Sequence, residues 1–312
     1  MTSTASLVKN GIREFLHSTG LNAAVARARK APRILMLHGI GGSELGSDAF
    51  ERAIVYLKRN FRLVTLDQAV AELGEPPTRG APAVVLTFDD GLENNVTVAY
   101  PILARHGVPA AFFVCAGLVD TGRWLWTHDA RARLASLDAA ARGDIATTIG
   151  AAPATVDAIV ERFKRMTVAE RGRHLAALRQ RTAAFKASAE QERAFNLASW
   201  AQLAGLDAAL ITIGSHSWSH EIMIGMDSRE LEREVVASRQ RIEQAIARKA
   251  DYFCYPNGDF DEAALEAVEK NYTAALSTRV GVVRKDRDPL HALPRLAMPP
   301  TLAALSLQLA RA

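Results

Sequence analysis

The chain has 312 residues, of which 49% are hydrophobic and 23% are charged, and this composition excludes a largely disordered protein. The net charge is only +4, and basic residues are interspersed with acidic ones, so nucleic-acid binding is not predicted. No run of residues approaches the ~18 apolar positions that a membrane-spanning helix needs.

The N-terminal residues 1–30 are predicted to form a helical segment ahead of the main domain, which spans 31–312. Basic and apolar residues share this segment, so it either packs on the domain as a helix or makes peripheral contact with a membrane surface. It lacks the uninterrupted apolar core and the cleavage site of a signal peptide, and we therefore expect a cytoplasmic protein.

Short apolar runs alternate with helical patterns along the main domain. Several runs are continuously apolar, which is typical of parallel strands that are covered on both faces. We therefore predict an α/β fold, a distorted (β/α) barrel of about seven parallel strands with a helical insertion. The predicted strands are residues 34–37, 63–66, 84–88, 110–115, 210–213, 252–255, 274–276 and 293–296.

The insertion covers about residues 118–206, which contain no convincing strand and are rich in Ala and Arg. Thr167 and Glu170 have the spacing of a capping box, and we predict two to four helices between neighbouring strands. They either cap one face of the barrel or only stabilise the fold.

Two motifs whose side chains could bind a metal or take part in catalysis directly follow predicted strands. Asp89 and Asp90 come after the strand 84–88, and His216 and His220 come after the strand 210–213. In a parallel barrel, residues at these positions meet at the C-terminal ends of the strands. One carboxylate and two imidazoles can hold a divalent metal with positions left open, and the other carboxylate is then a candidate base.

These motifs make the chain resemble the polysaccharide deacetylase family, the NodB-homology or carbohydrate esterase group. Residues 87–91 read Thr-Phe-Asp-Asp-Gly, residues 216–220 read His-Ser-Trp-Ser-His, and residues 253–258 are similar to the third family motif. The resemblance runs from about residue 33 to 295. It implies a distorted barrel that removes acetyl groups from N-acetylated sugars with the help of a metal. Trp124 and Trp126, which stand at the start of the insertion, would then either stack on a sugar ring or anchor the insertion.

The resemblance also implies roles for individual residues. Asp90, His216 and His220 would hold the metal, and Asp89 would be the catalytic base. The backbone N–H of Asn257 aligns with the family's donor to the oxyanion. This ligand set favours Zn²⁺ and also accommodates Co²⁺, Ni²⁺ or Fe²⁺.

The chain departs from the family pattern at several motifs. Cys254 stands where the family usually has an Arg that pairs with the catalytic Asp. Arg295 follows a late strand and either supplies that guanidinium or forms a surface salt bridge. The family's Asp-Trp motif is absent and its late Leu-x-His motif is unclear, which leaves the general acid unassigned. His38 follows the first predicted strand, where extracellular-matrix glycan deacetylases of the family also place a His. It is therefore predicted to be the general acid, with His291 as the alternative, unless His38 is only a structural residue at the barrel rim.

We therefore expect a hydrolase that acts on an N-acetylhexosamine unit of a glycan or of a lipid- or nucleotide-linked precursor, and the expected location favours the precursor. Two alternatives stay open: a cyclic amide or imide hydrolase of the same fold, and a catalytically idle glycan-binding protein. Cys115 and Cys254 are predicted to be buried and reduced. The histidines predicted to lie on the surface are His17, His106, His128 and His174.

Overall fold

The computed structural model of the protein describes residues 14, 16–41, 45–73 and 80–312. The strands in these residues are β1 Arg33–Leu37, β2 Arg62–Leu63, β3 Ala83–Phe88, β4 Ala110–Val114, β5 Ile211–Ser215, β6 Tyr252–Cys254, β7 Ala274–Val280 and β8 Leu293–Ala297. All pairings between them are parallel, in the order β1-β8-β7-β6-β5-β4-β3-β2. Because β1 also pairs with β3, seven strands close into a barrel, as predicted, and the short β2 lies beside β3.

Helices connect the strands and surround the barrel. They are Leu21–Ala28, Ser47–Asn60, Leu66–Glu72, Tyr100–His106, Trp126–Ala135, Ala139–Ile149, Val156–Lys164, Val168–Arg181, Ala189–Phe195, Trp200–Ala204, Ser228–Leu231, Ser238–Ile246, Glu262–Asn271 and Leu302–Arg311. The strand predicted at residues 63–66 is observed only as the two-residue β2. Thr65 and Gln68 form a reciprocal capping box there, so Leu66 begins a helix.

Side chains alternate between the inside and the outside of the barrel along each strand. On β3, Leu86 packs with the surrounding helices, whereas Val85 belongs to a second apolar cluster shared with the other strands. Continued alternation carries Asp89 to the inside. Cys254 belongs to the inner cluster, and Arg295 follows the inner Leu293 by two residues. The pleat of the barrel therefore brings the side chains of Asp89, Cys254 and Arg295 together.

The insertion between β4 and β5 contains six helices, where two to four were predicted. Short helices are separated by capping residues whose side chains accept a backbone hydrogen bond, namely Asp138, Thr155, Thr167, Ser188 and Ser199. These helices have an apolar core of their own, which includes Trp126, Phe163 and Leu178. Ile222, from the loop after β5, belongs to the same core, so the insertion is packed against that loop.

The N-terminal segment is only partly covered, since residues 1–13 and residue 15 lie outside the described part of the chain. Its helix Leu21–Ala28 packs on Leu302–Arg311, and Asn22 Nδ2 donates to Ser306 Oγ at 3.1 Å. The buried Arg33 guanidinium donates to the carbonyl oxygens of Ala26 and Leu309 and ties the two helices together. No helix among the described residues has the length and apolar character to cross a membrane.

Candidate metal centre and active site

The carboxylate of Asp90 lies between the imidazoles of His216 and His220. Its Oδ1 is 3.5 Å from His216 Nε2 and 3.4 Å from His220 Nε2. All three residues are buried, and their ligand atoms lie within 4.8 Å of one another. The Asp and His motifs, which are far apart in sequence, thus form one cluster at the C-terminal ends of β3 and β5.

The separations within this cluster suit a shared metal ion better than direct hydrogen bonds. An N–H···O bond has a typical N···O distance of about 2.9 Å, whereas ligand atoms about 2.1 Å from one tetrahedral ion lie about 3.4 Å apart. His216 Nδ1 is 2.7 Å from the carbonyl oxygen of Cys254, so Nδ1 carries a proton, and Nε2 is the nitrogen that faces Asp90 and would bind an ion. The three residues therefore fit a divalent ion.

A buried carboxylate holds the loop between the two histidines. Glu234 Oε2 accepts hydrogen bonds from the backbone N–H groups of Trp218 at 3.0 Å and Ser219 at 2.8 Å. The Trp218 carbonyl accepts from the Gly117 N–H at 2.8 Å, and a Cβ at position 117 would lie 2.0 Å from the indole. Glu234 was not predicted to belong to the site, because a glutamate in a helical segment that also contains Glu230 and Glu232 gives no sign of its burial.

Three residues of the site have backbone conformations that non-glycine residues rarely adopt. The φ angles are 74° at Asp90, 68° at Ser217 and 62° at His220. Each costs on the order of 1–3 kcal/mol and persists only where the surroundings impose it. Here Ser217 Oγ accepts the His220 N–H at 3.0 Å, and Ser215 Oγ accepts the Ser217 N–H at 3.2 Å. These bonds maintain the turn that directs both histidines towards Asp90.

Asp89 forms a two-point ion pair with Arg295 of β8. Arg295 Nη1 donates to Oδ1 at 2.8 Å and Nη2 donates to Oδ2 at 2.7 Å, and both side chains are buried. Arg295 also donates to Thr87 Oγ1 at 3.1 Å and to the Ser277 carbonyl at 2.9 Å. Paired hydrogen bonds of this kind fix the orientation of both groups. Arg295 is therefore not a surface residue, and it meets the carboxylate for which the sequence analysis proposed it.

The ionisation of the two carboxylates follows from their neighbours. Burial raises the pKa of Asp89, but the charge and hydrogen bonds of Arg295, with smaller effects of His216 and His38, lower it to about 2. Burial also raises the pKa of Asp90, and its contacts with His216 and His220 outweigh this and hold the pKa well below its usual range. Both carboxylates are therefore ionised at neutral pH.

Cys254 fills the position where the family motif has its Arg. Its Sγ is 3.1 Å from Arg295 Nη2 and 3.5 Å from Asp89 Oδ1. Burial raises the pKa of this thiol, which is therefore neutral. A small thiol at this point leaves room for Arg295 to reach Asp89 from β8, so the carboxylate–guanidinium pair is built from a different strand. Cys115 and Cys254 are both buried and unpaired, as predicted.

Asn257 follows β6 at the same end of the barrel as the Asp-His-His cluster. It lies in the short turn Pro256–Gly258 with φ 59°, and its carbonyl accepts a hydrogen bond from Thr278 Oγ1 at 3.0 Å. Gly258 has φ 80°, and a Cβ there would lie 2.0 Å from Thr278 Oγ1. The turn is thus held closely against β7, which fixes the direction of its backbone N–H groups.

The two histidines considered as the general acid lie at opposite ends of the barrel. His38 follows β1, its side chain is exposed, and its charge contributes to the low pKa of Asp89. His291 precedes β8, and its Nε2 is 2.8 Å from the carbonyl oxygen of Tyr272, which precedes β7. Since the candidate site lies where the strands end, His291 is on the wrong side of the barrel, and His38 stays the candidate.

The insertion places two residues beside the Asp-His-His cluster that were not predicted to lie there. His128 Nε2 is 3.6 Å from Asp90 Oδ2 and its side chain is only 17% exposed, so the prediction that it lies on the surface is wrong. Burial lowers the pKa of His128 to about 4, and its imidazole is neutral at neutral pH. Trp126 is buried, and its Nε1 donates to the carbonyl oxygen of His220 at 2.8 Å.

A row of packed aromatic rings leads from the Asp-His-His cluster into the insertion. Phe195 stacks on His128, with ring centroids 4.6 Å apart, and Trp124 packs edge-on against Phe195 at 5.3 Å. Trp126 anchors the insertion, which was one of the two roles considered for it. Trp124 is half-buried and bonded to Asn196 Oδ1 at 2.8 Å. Its contact with a sugar ring stays a prediction.

The closed parallel barrel and its buried Asp-His-His cluster define the class of the protein, an α/β barrel with a candidate hydrolytic centre where the strands end. Residues 77–275, more than half of the chain, match the family described as Polysaccharide deacetylase. The chain belongs to the polysaccharide deacetylase family, as the motifs predicted.

The chain is also similar to individual proteins along most of its length. YxkH of Bacillus subtilis (strain 168) is 21% identical over 275 residues, which cover 86% of this chain and 72% of YxkH. The Streptococcus pyogenes deacetylase PplD is similar with a TM-score of 0.60 at 16% identity, covering 89% of this chain and 96% of PplD. IcaB from Ammonifex degensii is similar with a TM-score of 0.59 at 18% identity, covering 89% of this chain and 98% of IcaB. At these identities the two solved structures show a shared fold.

Proposed function

We propose that the protein is a metal-dependent N-deacetylase that removes the acetyl group from an N-acetylhexosamine unit of a glycan or of a lipid- or nucleotide-linked precursor. The observation that carries the proposal is the Asp90, His216 and His220 cluster beside the ion-paired Asp89. Family membership supports the same reaction class. The similar protein PplD was solved in complex with acetate, the second product that N-deacetylation releases.

Asp90, His216 and His220 are the residues that would hold the ion. A mixed nitrogen and oxygen set of three ligands favours Zn²⁺ and also accommodates Co²⁺, Ni²⁺ or Fe²⁺. When bound, a divalent ion supplies Lewis-acid polarisation of the amide carbonyl and lowers the pKa of the attacking water.

Asp89 is the proposed general base. Its inward position next to Asp90 lets it accept a proton from a water at the centre of the site, and Arg295 keeps the carboxylate ionised and correctly turned. A pKa of about 2 makes Asp89 a weak base, so transfer of a proton to it from ordinary water is strongly unfavourable. This mismatch is the physical reason why we expect turnover to need the metal.

Asn257 and His38 are proposed to handle the remaining charges. The backbone N–H of Asn257 would donate to the oxyanion that forms on the amide carbon, a role that Pro256 cannot fill because it has no N–H. His38 would donate a proton to the departing amine, since it lies at the correct end of the barrel and is exposed to an incoming substrate.

Acetate release tests the proposal directly. The full chain would be stripped of metal with a chelator and incubated with N-acetylglucosamine oligomers, before and after addition of Zn²⁺ or Co²⁺. We expect acetate only after the metal is restored. Turnover of a cyclic imide without acetate release would favour the imide hydrolase instead. Bound metal and bound oligomer without any turnover would favour an idle glycan-binding protein.

A further inference from the structure

The two oxygens of the Asp90 carboxylate face different parts of the molecule. Oδ1 faces both His216 Nε2 and His220 Nε2, at 3.5 and 3.4 Å. Oδ2 faces His128 Nε2 at 3.6 Å, and His128 belongs to the insertion rather than to the barrel. Only Oδ1 of this carboxylate faces the two histidines of the proposed metal site. Oδ2 faces the imidazole of His128, which has no role in the proposed mechanism.

The insertion fixes the position of the His128 ring. The ring stacks on Phe195 with an interplanar angle of 20°. Its helix starts at Trp126, whose Nε1 is bonded to the His220 carbonyl, so the helix and the loop after β5 are joined close to the cluster. His128 Nδ1 is buried and has no hydrogen-bond partner among the described residues. The stacked ring thus leaves Nε2 as the nitrogen directed at Asp90.

We propose that His128 is a positioning residue for the metal centre: its Nε2–H donates a hydrogen bond to Asp90 Oδ2 and holds Oδ1 towards the ion. The proposal rests on the proposed function, because it requires Asp90 to be a metal ligand. A displacement of about half an ångström would bring the present 3.6 Å separation to an ordinary hydrogen-bond length.

Direct ligation by His128 is the competing role, and the geometry speaks against it. Of the described residues, two groups of three have ligand atoms that all lie within 4.8 Å of one another, and neither group includes His128. Ligating carboxylates are commonly held by a hydrogen bond to their second oxygen, and loss of such a partner lowers metal affinity about 10- to 100-fold. His128 is placed for this outer role.

Two variants separate the hydrogen bond from the packing of the ring. His128→Phe keeps an aromatic ring on Phe195 and removes the N–H donor. His128→Gln removes the ring and keeps an N–H donor at nearly the same reach. His174→Phe is the matched control, because His174 lies in the same insertion and stacks on Phe163 instead, with ring centroids 6.2 Å apart.

The measurement is the dissociation constant for Zn²⁺ of the full chain, determined by competition with a fluorescent chelator at fixed pH. We expect His128→Phe to bind Zn²⁺ about 10- to 100-fold more weakly than wild type, and His128→Gln and His174→Phe to bind it like wild type. Thermal unfolding in excess chelator would show that all three variants fold.

Each other outcome contradicts the proposal. Equal affinity in wild type and His128→Phe would mean that the N–H group has no role at the centre. Weak binding by both His128 variants would indicate direct ligation, and weak binding by His128→Gln alone would indicate ring packing. Failure of the proposed metal site would look different, because wild type itself would then bind no Zn²⁺, and failure of the proposed reaction would show as bound Zn²⁺ without acetate release.

Discussion

The strand ends of the barrel and the helical insertion both place side chains near Asp90, but these side chains differ in kind. The ends of β3 and β5 contribute the candidate metal ligands Asp90, His216 and His220, whose ligand atoms all lie within 4.8 Å of one another. From the insertion come groups that contact those residues from behind, as His128 does at Asp90 and Trp126 does at His220. If the proposed function holds, the barrel would supply the reacting groups and the insertion would hold them in position.

Loss of a barrel ligand should have the largest effect. His220→Ala removes one of the two imidazoles on Asp90, and we expect Zn²⁺ affinity to fall by more than the ~100-fold that loss of an outer partner causes. Equilibrium dialysis with Zn²⁺ would measure it. His291→Ala is the control, because this histidine lies at the other end of the barrel and should leave binding unchanged. Similar losses in both variants would contradict the assignment.

Breaking the buried ion pair beside the cluster should have the next largest effect. Arg295→Met leaves Asp89 buried without a counter-charge, and we expect the free energy of unfolding in urea to fall by about 3–5 kcal/mol. Arg105→Met breaks an exposed pair with Glu51 and should leave the urea midpoint nearly unchanged. Equal shifts in the two variants would show that burial of the Arg295 pair carries no special weight.

The same pair predicts a dependence of stability on pH. Folding lowers the pKa of Asp89 from its ordinary 3.8 to about 2, which corresponds to a contribution of about 2 kcal/mol. Because the folded pKa is the lower one, this stability is present above about pH 4 and is lost as the pH falls towards 2. Between these pH values the free energy of unfolding in urea should therefore fall more steeply for wild type than for Asp89→Asn. Parallel plots of this free energy against pH would contradict the low pKa.

Weakening the contact between the insertion and His220 should have the smallest effect. Trp126→Phe removes the donor to the His220 carbonyl, and we expect a loss of about 1 kcal/mol in stability and a few-fold loss in Zn²⁺ affinity. Trp124→Phe removes one hydrogen bond to Asn196 in the same insertion. It should lower stability by a similar amount without changing Zn²⁺ affinity. If both variants bind Zn²⁺ equally well, the insertion does not support the site through Trp126.

The two regions also differ in how far they could be predicted from the sequence. Asp89, Asp90, His216 and His220 each follow an apolar strand, and the closure of a parallel barrel is enough to bring such positions together. Strand alternation likewise carries Arg295 inwards to Asp89, although it lies on β8 rather than in the third family motif. The barrel and the central residues of its site could therefore be predicted from local sequence patterns.

The contacts that the insertion makes with the site could not be predicted from local sequence patterns. His128 lies in a polar helical pattern, and its burial depends on the packing of Phe195 and on the anchoring of Trp126, which are contacts between distant segments. The same holds for Glu234, whose partners are backbone N–H groups of a loop with unusual φ angles. Even the number of helices was underestimated, because the breaks between them depend on single capping residues.

The central claim is that Asp90 and the two histidines hold an ion while Asp89, though adjacent in sequence, stays off it and moves the proton. Zinc content and acetate release, measured on the same preparation of Asp89→Asn, test this most directly. We predict the zinc content of wild type together with acetate release lowered by about 10²–10⁴-fold. Wild-type acetate release, or loss of zinc from the variant, would contradict the division of roles between the two carboxylates.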